Sequence, residues 1–211
     1  MSDKRKLSAH RQLTRARLDA RVRKSRDALG DALVSLMREK EFDEITVQEV
    51  LDRAGVSRST FYQHFRDKED LFATDAAEFF DQIANALQRQ DDRSDRVFPV
   101  REFFEHIRVM EGFVSRLASA GKLHENMALA RARFANGIER RLSVLGRARG
   151  VDPATRPIVA LVFAGVVVSM LLWWIDQQMA PSPNELDELF HRLLWNGLET
   201  RTPTRTAGPW V

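Results

Sequence analysis

Residues 45–72, "ITVQEVLDRAGVSRSTFYQHFRDKEDLF", decide how this chain is read. Thr46 followed three positions later by Glu49 has the form of a capping box, in which each residue's side chain satisfies the other's backbone amide at the start of a helix. Gly55 after Ala54 is where that helix must end, because glycine enters the left-handed backbone region without a steric penalty. Ser57 can then cap a brief helix over 57–65, and Asp67 a longer one after it. Two short helices joined by a turn of three or four residues form a helix-turn-helix, a layout in which the second helix enters the major groove of DNA.

The brief helix has two chemically distinct faces. Phe61 and Phe65 are four residues apart, share one side and must pack inward. The remaining sides carry Arg58, Ser59, Thr60, Tyr62, Gln63 and His64, nearly all short or planar hydrogen-bonding groups. Serine and threonine keep a recognition helix slim, an arginine can bridge guanine N7 and O6, and a glutamine can bridge adenine N7 and N6. Tyr62 and His64 suit phosphate oxygens or a thymine methyl. Lys68, at the start of the following helix, and Thr46, at the start of the earlier one, lie where free amides and the helix dipole favour a phosphate.

At these residues the chain resembles the TetR family of bacterial transcriptional regulators, over roughly residues 21–72. The combination of a threonine-capped start, an Ala-Gly-Val turn, a Thr-Phe-Tyr-x-His-Phe helix and a Lys-Glu-x-Leu-Phe helix is far more specific than a helix-turn-helix pattern alone. The resemblance implies that Gln48 and Arg58 read bases and that Thr46, Ser59, Thr60, Tyr62, His64 and Lys68 lie on phosphates or base edges, with Gln63 a further contact. It also implies a variable helical C-terminal domain, similar to that of AcrR-type members, which binds an inducer and dimerises through its last two long helices. Here those helices would be about 155–179 and 183–198.

Composition agrees with a nucleic-acid partner. Residues 1–26 hold ten lysines and arginines and two aspartates, while the other 185 residues sum to −5, so a net charge of +3 conceals a strongly basic arm. Such asymmetry is a footprint of a polyanion partner, DNA or an anionic surface; a solubilising tail is the plainer reading. The arm lacks the apolar stretch of a secretory signal. With 211 residues, 44% of them hydrophobic, the chain can bury one sizeable core or two small ones. It has no cysteine, which excludes disulfides and thiolate metal sites and fits the cytoplasm.

Apolar residues recur at three- and four-residue spacing almost throughout, so the chain reads as all-α: an N-terminal three-helix helix-turn-helix domain and a larger helical ligand-binding and dimerisation domain. The expected divisions are a basic arm (1–20), a DNA-binding domain (21–72), an effector-binding and dimerisation domain (73–199) and a disordered tail (200–211). Between the parts, "QRQDDRSDRVFP" (88–99) reads as a polar loop or hinge, with the domain boundary placed along the helix that precedes it and not in the loop. From Val100 a single stripe continues through Met110 and Phe113 to a break at Gly121.

The run Ile158–Ile175 holds eighteen residues without a charge, at the lower limit for a membrane span. A helix apolar on all sides is also what a dimer needs of an element covered by its own domain and by a twin. Ala160, Ala164, Gly165 and Ser169 would let helix axes approach closely, and the amphipathic helix after it, capped by Ser182 and Glu185, would add Leu186, Leu189, Phe190 and Leu193. Phe103, Phe104, Phe113, Phe134, Phe163 and Trp173 could line an aromatic effector pocket, although aromatics at helical spacing more often form core.

Neither a nucleophile elbow, a phosphate loop nor a paired-carboxylate context is present, so no enzyme, cofactor or metal site is expected; Glu102 and His106 lack further ligands to complete one. The favoured reading is a homodimeric repressor that binds a palindromic operator and is released by a small apolar or aromatic effector. The alternatives are a DNA-binding dimer controlled by a protein partner or by concentration, and a membrane-tethered regulator.

Overall fold

The computed structural model describes residues 22–89, 92–119 and 121–199; the basic arm (1–20) and the tail (200–211) lie outside the described residues. Among the described residues there is no strand. Residues 22–37 form α1, followed by a single 3-10 turn at Phe42–Glu44, α2 (Val47–Ala54), α3 (Arg58–Tyr62), α4 (Lys68–Ala84) and α5 (Ala86–Arg89). Then come α6 (Val100–Val109), α7 (Glu111–Ser119), α8 (Lys122–Val144), a second 3-10 turn at Gly146–Gly150, α9 (Arg156–Asp176) and α10 (Pro183–Glu199).

The chain divides into two compact units: one up to Ala76 together with Gly112–Leu123, the other Ala77–Glu111 together with the chain from His124 onward. The dividing point thus lies inside α4, the helix that also holds residue 72, and α7 from Gly112 onward belongs with the first unit. The continuous apolar spacing across Met110 gives no sign of this. The chain nevertheless breaks there, with Met110 at φ −99° and ψ 17°, so that one expected helix becomes α6 and α7. In the first unit α7 buries Val114 and Leu117 and sets Arg116 3.5 Å from Glu41.

The first unit is built on Leu29, Leu33, Leu36 and Met37 of α1, with Val50, Leu51, Phe61, Phe65, Leu71 and Phe72 from the elements that follow. Gly30 lets α4 come close, since a Cβ there would meet Asp75 Oδ1 at 2.5 Å. The guanidinium of Arg53 on α2 grips both carboxylate oxygens of Glu39 at 2.8 and 3.0 Å and donates to the Ser35 hydroxyl at 2.7 Å, which fixes α2 against α1.

The second unit is aromatic at its centre. The Phe134 ring lies 4.6 Å from Phe98, 5.2 Å from Phe103 and 5.6 Å from Phe80, and Phe104 meets Trp174 edge-on at 5.0 Å. Gly137 permits the approach of α8 to the end of α4, because a Cβ would sit 2.5 Å from the Ala84 carbonyl oxygen.

The expected polar hinge is instead a pinned segment over 92–99. Arg141 of α8, itself buried, donates to the carbonyls of Arg96, Asp92 and Ser94 at 2.9, 2.8 and 2.8 Å, and Trp195 Nε1 donates to that of Asp95 at 3.1 Å. His191 Nε2 accepts the Val97 amide at 3.1 Å, and Val97 and Phe98 are buried. Loop carbonyls removed from water must be satisfied, and here residues 45 or more positions away do so. Asp187 joins α10 to the same segment. Burial works to raise its pKa, but hydrogen bonds from His191 and Arg96 outweigh burial and hold the carboxyl at about 2.

Candidate nucleic-acid interface

The local punctuation expected at 45–72 is present. Thr46 accepts the Glu49 amide at 3.3 Å, and Glu49 Oε2 accepts from the Thr46 amide and hydroxyl at 2.9 and 2.8 Å. Gly55 ends α2 at φ 64° and ψ 32° in the left-handed region. Ser57 accepts the Thr60 amide at 3.2 Å, and Asp67 accepts that of Asp70 at 2.7 Å. Phe61 and Phe65 point inward and are buried, with ring centroids 5.7 Å apart.

The outward edge of α2 and α3 is polar. Gln48, Arg58, Ser59, Tyr62 and Gln63 are exposed, while Thr60 and His64 are half-buried. Arg58 Nη2 donates to Gln48 Oε1 at 2.8 Å, so the two expected base readers touch each other across the turn. The Ser57 hydroxyl lies 3.0 Å from that of Ser59 and 2.9 Å from that of Thr60, which holds the start of α3 in a small hydroxyl cluster. The Tyr62 ring packs edge-on against Phe61 at 5.2 Å, an anchor that leaves its phenol outward.

Two residues expected to meet phosphates are otherwise occupied. The Lys68 ammonium donates to the carbonyls of Phe42, Asp43 and Ile45 at 2.7, 3.1 and 2.8 Å and lies 4.7 Å above the Phe42 ring. Its three donors therefore close the 3-10 turn at Phe42–Glu44, and its side chain has none left for DNA. Thr46 likewise gives its hydroxyl proton to Glu49. What either position offers an anion is backbone at a helix start.

Glu49 links this cap to stability in acid. The Lys40 ammonium at 2.6 Å, then the amide and hydroxyl of Thr46, hold its carboxyl at about 2, below the ordinary 4.5. A carboxylate depressed on folding contributes stability that is full above its unfolded pKa and is lost as pH falls through the folded one. The first unit is therefore expected to weaken between about pH 4.5 and about pH 2, and Glu49→Gln to flatten that acid limb. Denaturant titrations at about pH 5 and about pH 3 compare the two proteins; equal acid losses would contradict the capping box.

The expected pocket residues differ in burial and in the unit that holds them. Phe103, Phe104 and Phe134 are fully buried and pack on one another, Phe163 is half-buried against Phe190, Phe113 lies in the first unit, and Trp173 is exposed. Trp173 is thus corrected to a surface residue; the neighbouring Trp174 is the one that turns inward.

The expected dimer residues divide as well. Ala160, Ala164, Leu186 and Phe190 are buried within their own unit, Gly165 and Leu189 are half-buried, and Ser169 and Leu193 face outward. The large apolar side chains left outward on α9 are Ile158, Leu161, Val162 and Trp173. A helix apolar on every side carries no mark of which side is inward. By length and composition α9, 21 residues with a mean hydropathy of 2.6 in its most apolar stretch, could also cross a membrane.

Residues 29–74 match the family described as "Bacterial regulatory proteins, tetR family". An uncharacterized HTH-type transcriptional regulator of Bacillus subtilis (strain 168), YxbF, is 34% identical over 58 residues, which are 27% of this chain and 15% of that protein. The match therefore spans a small part of that relative. Two solved structures resemble the fold. A TetR transcriptional regulator from Streptococcus agalactiae 2603V has a TM-score of 0.54 at 21% identity, covering 83% of this chain and 96% of the other. The fatty acid degradation regulator FadR from Bacillus halodurans has a TM-score of 0.57 at 17% identity, covering 81% and 98%.

Proposed function

We infer, for a chain whose residues 29–74 belong to the tetR family of bacterial regulatory proteins, that it is a DNA-binding transcriptional regulator of the cytoplasm. It acts as a homodimer that represses from a palindromic operator and is released by a small apolar effector. The observation that carries the DNA-binding reading is the joined pair Gln48 and Arg58, presented outward on α2 and α3 while Phe61 and Phe65 hold the other side of α3 in the core. Arg58 specifies a base, Tyr62, Gln63, His64, Ser59 and Thr60 position the protein, and the basic arm supplies attraction that is independent of sequence. The direction of release and the apolar character of the effector lean on family likeness; the Bacillus halodurans neighbour, a fatty acid degradation regulator, is consistent with it.

Selection of random duplexes tests the assignment. Arg58→Ala is expected to cost about 1–3 kcal/mol at the operator and to relax preference at one base pair in each half-site. An unchanged motif from the variant would remove Arg58 from base reading.

One observation favours a second reading. Phe103, Phe104 and Phe134, which an effector would need to line its site, are already filled by one another. A regulator without a small effector, governed by its concentration or a protein partner, would keep such a core. Thermal-shift screening with apolar compounds separates the two: stabilisation by a compound that also lowers operator affinity supports the effector.

A further inference from the structure

On the outward edge of α2, Asp52 carries a full negative charge on the surface that the proposed function turns toward a polyanion. Electrostatics alone would make it a liability there. Its contacts give it a use. Gln48 Nε2 donates to Asp52 Oδ1 at 2.8 Å, while Gln48 Oε1 accepts from Arg58 Nη2 at 2.8 Å. A carboxylate only accepts and a guanidinium only donates, so the amide between them has a single orientation that satisfies both. The order of the chain is therefore set: Asp52 turns the amide, and the amide presents its oxygen to Arg58. The neighbouring cation on α2 does not compete for the carboxylate, since Arg53 is committed to Glu39 and Ser35.

We propose that Asp52 is a positioning residue for base readout, acting through the Gln48 amide to hold the Arg58 guanidinium on α3 in its reading orientation. This rests on the DNA-binding function inferred above. Gln48 then serves chiefly as the relay between the two, with one amide hydrogen and one lone pair remaining for a base edge. Arg58 keeps four of its five N–H donors, enough for a bidentate contact with guanine. Holding a long arginine before DNA arrives lowers the ordering cost of that contact, and the benefit falls only on the base pair that Arg58 reads. An i,i+4 Gln–Asp pair that merely supported the helix would leave base preference untouched.

The test compares Asp52→Ala with Asp52→Asn in the full-length protein. Both remove the same charge, so both change non-specific affinity alike; only the asparagine retains a carbonyl oxygen that can accept from Gln48. Operators are measured against duplexes altered at the one base pair whose preference Arg58→Ala relaxes. Asp52→Ala is expected to reduce discrimination at that pair by about fivefold to tenfold, within what one bidentate contact is worth, and Asp52→Asn to restore it to within about twofold of wild type. Preference at the other positions should persist in both. Wild-type discrimination in both variants would overturn the proposal, as would an equal loss in both, which would assign the effect to charge. Wild-type protein that selected no motif at all would overturn the DNA-reading function and the proposal with it. Asp52 is exposed, and alanine favours helix, so a melting curve suffices to show that the variants fold.

Discussion

Leu193→Glu is expected to abolish tight operator binding while leaving the chain folded. Leu193 lies on α10 with 51% of its surface exposed, and a glutamate at such a position in an isolated subunit costs no more than about 0.5 kcal/mol. If a twin subunit covers it, the same carboxylate is buried without a partner, at a cost of several kcal/mol. The occupant is inferred to be a second copy because Ile158 (62% exposed), Leu161 (51%), Val162 (54%) and Trp173 (48%) also face outward on α9. An apolar face of that kind requires cover, and a regulator that reads two half-sites needs two heads. Losing the second head removes its share of the affinity, which is expected to fall by about a hundredfold or more, equivalent to about 3 kcal/mol. Sedimentation should report a monomer and fluorescence anisotropy the lost binding. A variant that stayed dimeric and bound the operator normally would place the interface elsewhere. Wild-type protein recovered only with detergent would favour a membrane as the cover of α9.

Phe134→Ala is expected to produce a large loss of stability in the second unit. The side chain is fully buried on α8 and its ring touches those of Phe80, Phe98 and Phe103. Removing a phenyl group from such surroundings forfeits its transfer free energy and leaves a cavity that rigid neighbours cannot fill, for a total of about 3–5 kcal/mol. The melting temperature should fall by about 10 °C. The same substitution also tests the effector site, because a ring that lined an open pocket would already lack partners on one side. A loss of about 1 kcal/mol would therefore identify Phe134 as pocket lining and not as filled core.

How far the fold could be read in advance depended on the range of the interactions involved. The caps at Thr46, Ser57 and Asp67 and the left-handed Gly55 were all legible because each closes within one helical turn. The inward placement of Phe61 and Phe65 follows from their four-residue spacing in the same way. The fastening of the Lys68 side chain was not legible for the opposite reason: the carbonyls that hold it belong to Phe42, Asp43 and Ile45, more than twenty positions earlier, and no local pattern brings them to it.

The sequence by itself therefore determined the helix-turn-helix, its caps and its two faces, since these are consequences of backbone sterics and of side chains reaching three or four residues. Only the tertiary structure decided that 92–99 is anchored by Arg141, Trp195 and His191. It alone broke the apolar stripe at Met110, turned Ala160, Ala164 and Trp174 inward, and left Leu161, Val162 and Trp173 outward. Hydrophobic burial has no direction of its own. Where every face of α9 is apolar, the choice of inner face passes to whatever shapes the rest of the fold brings against it.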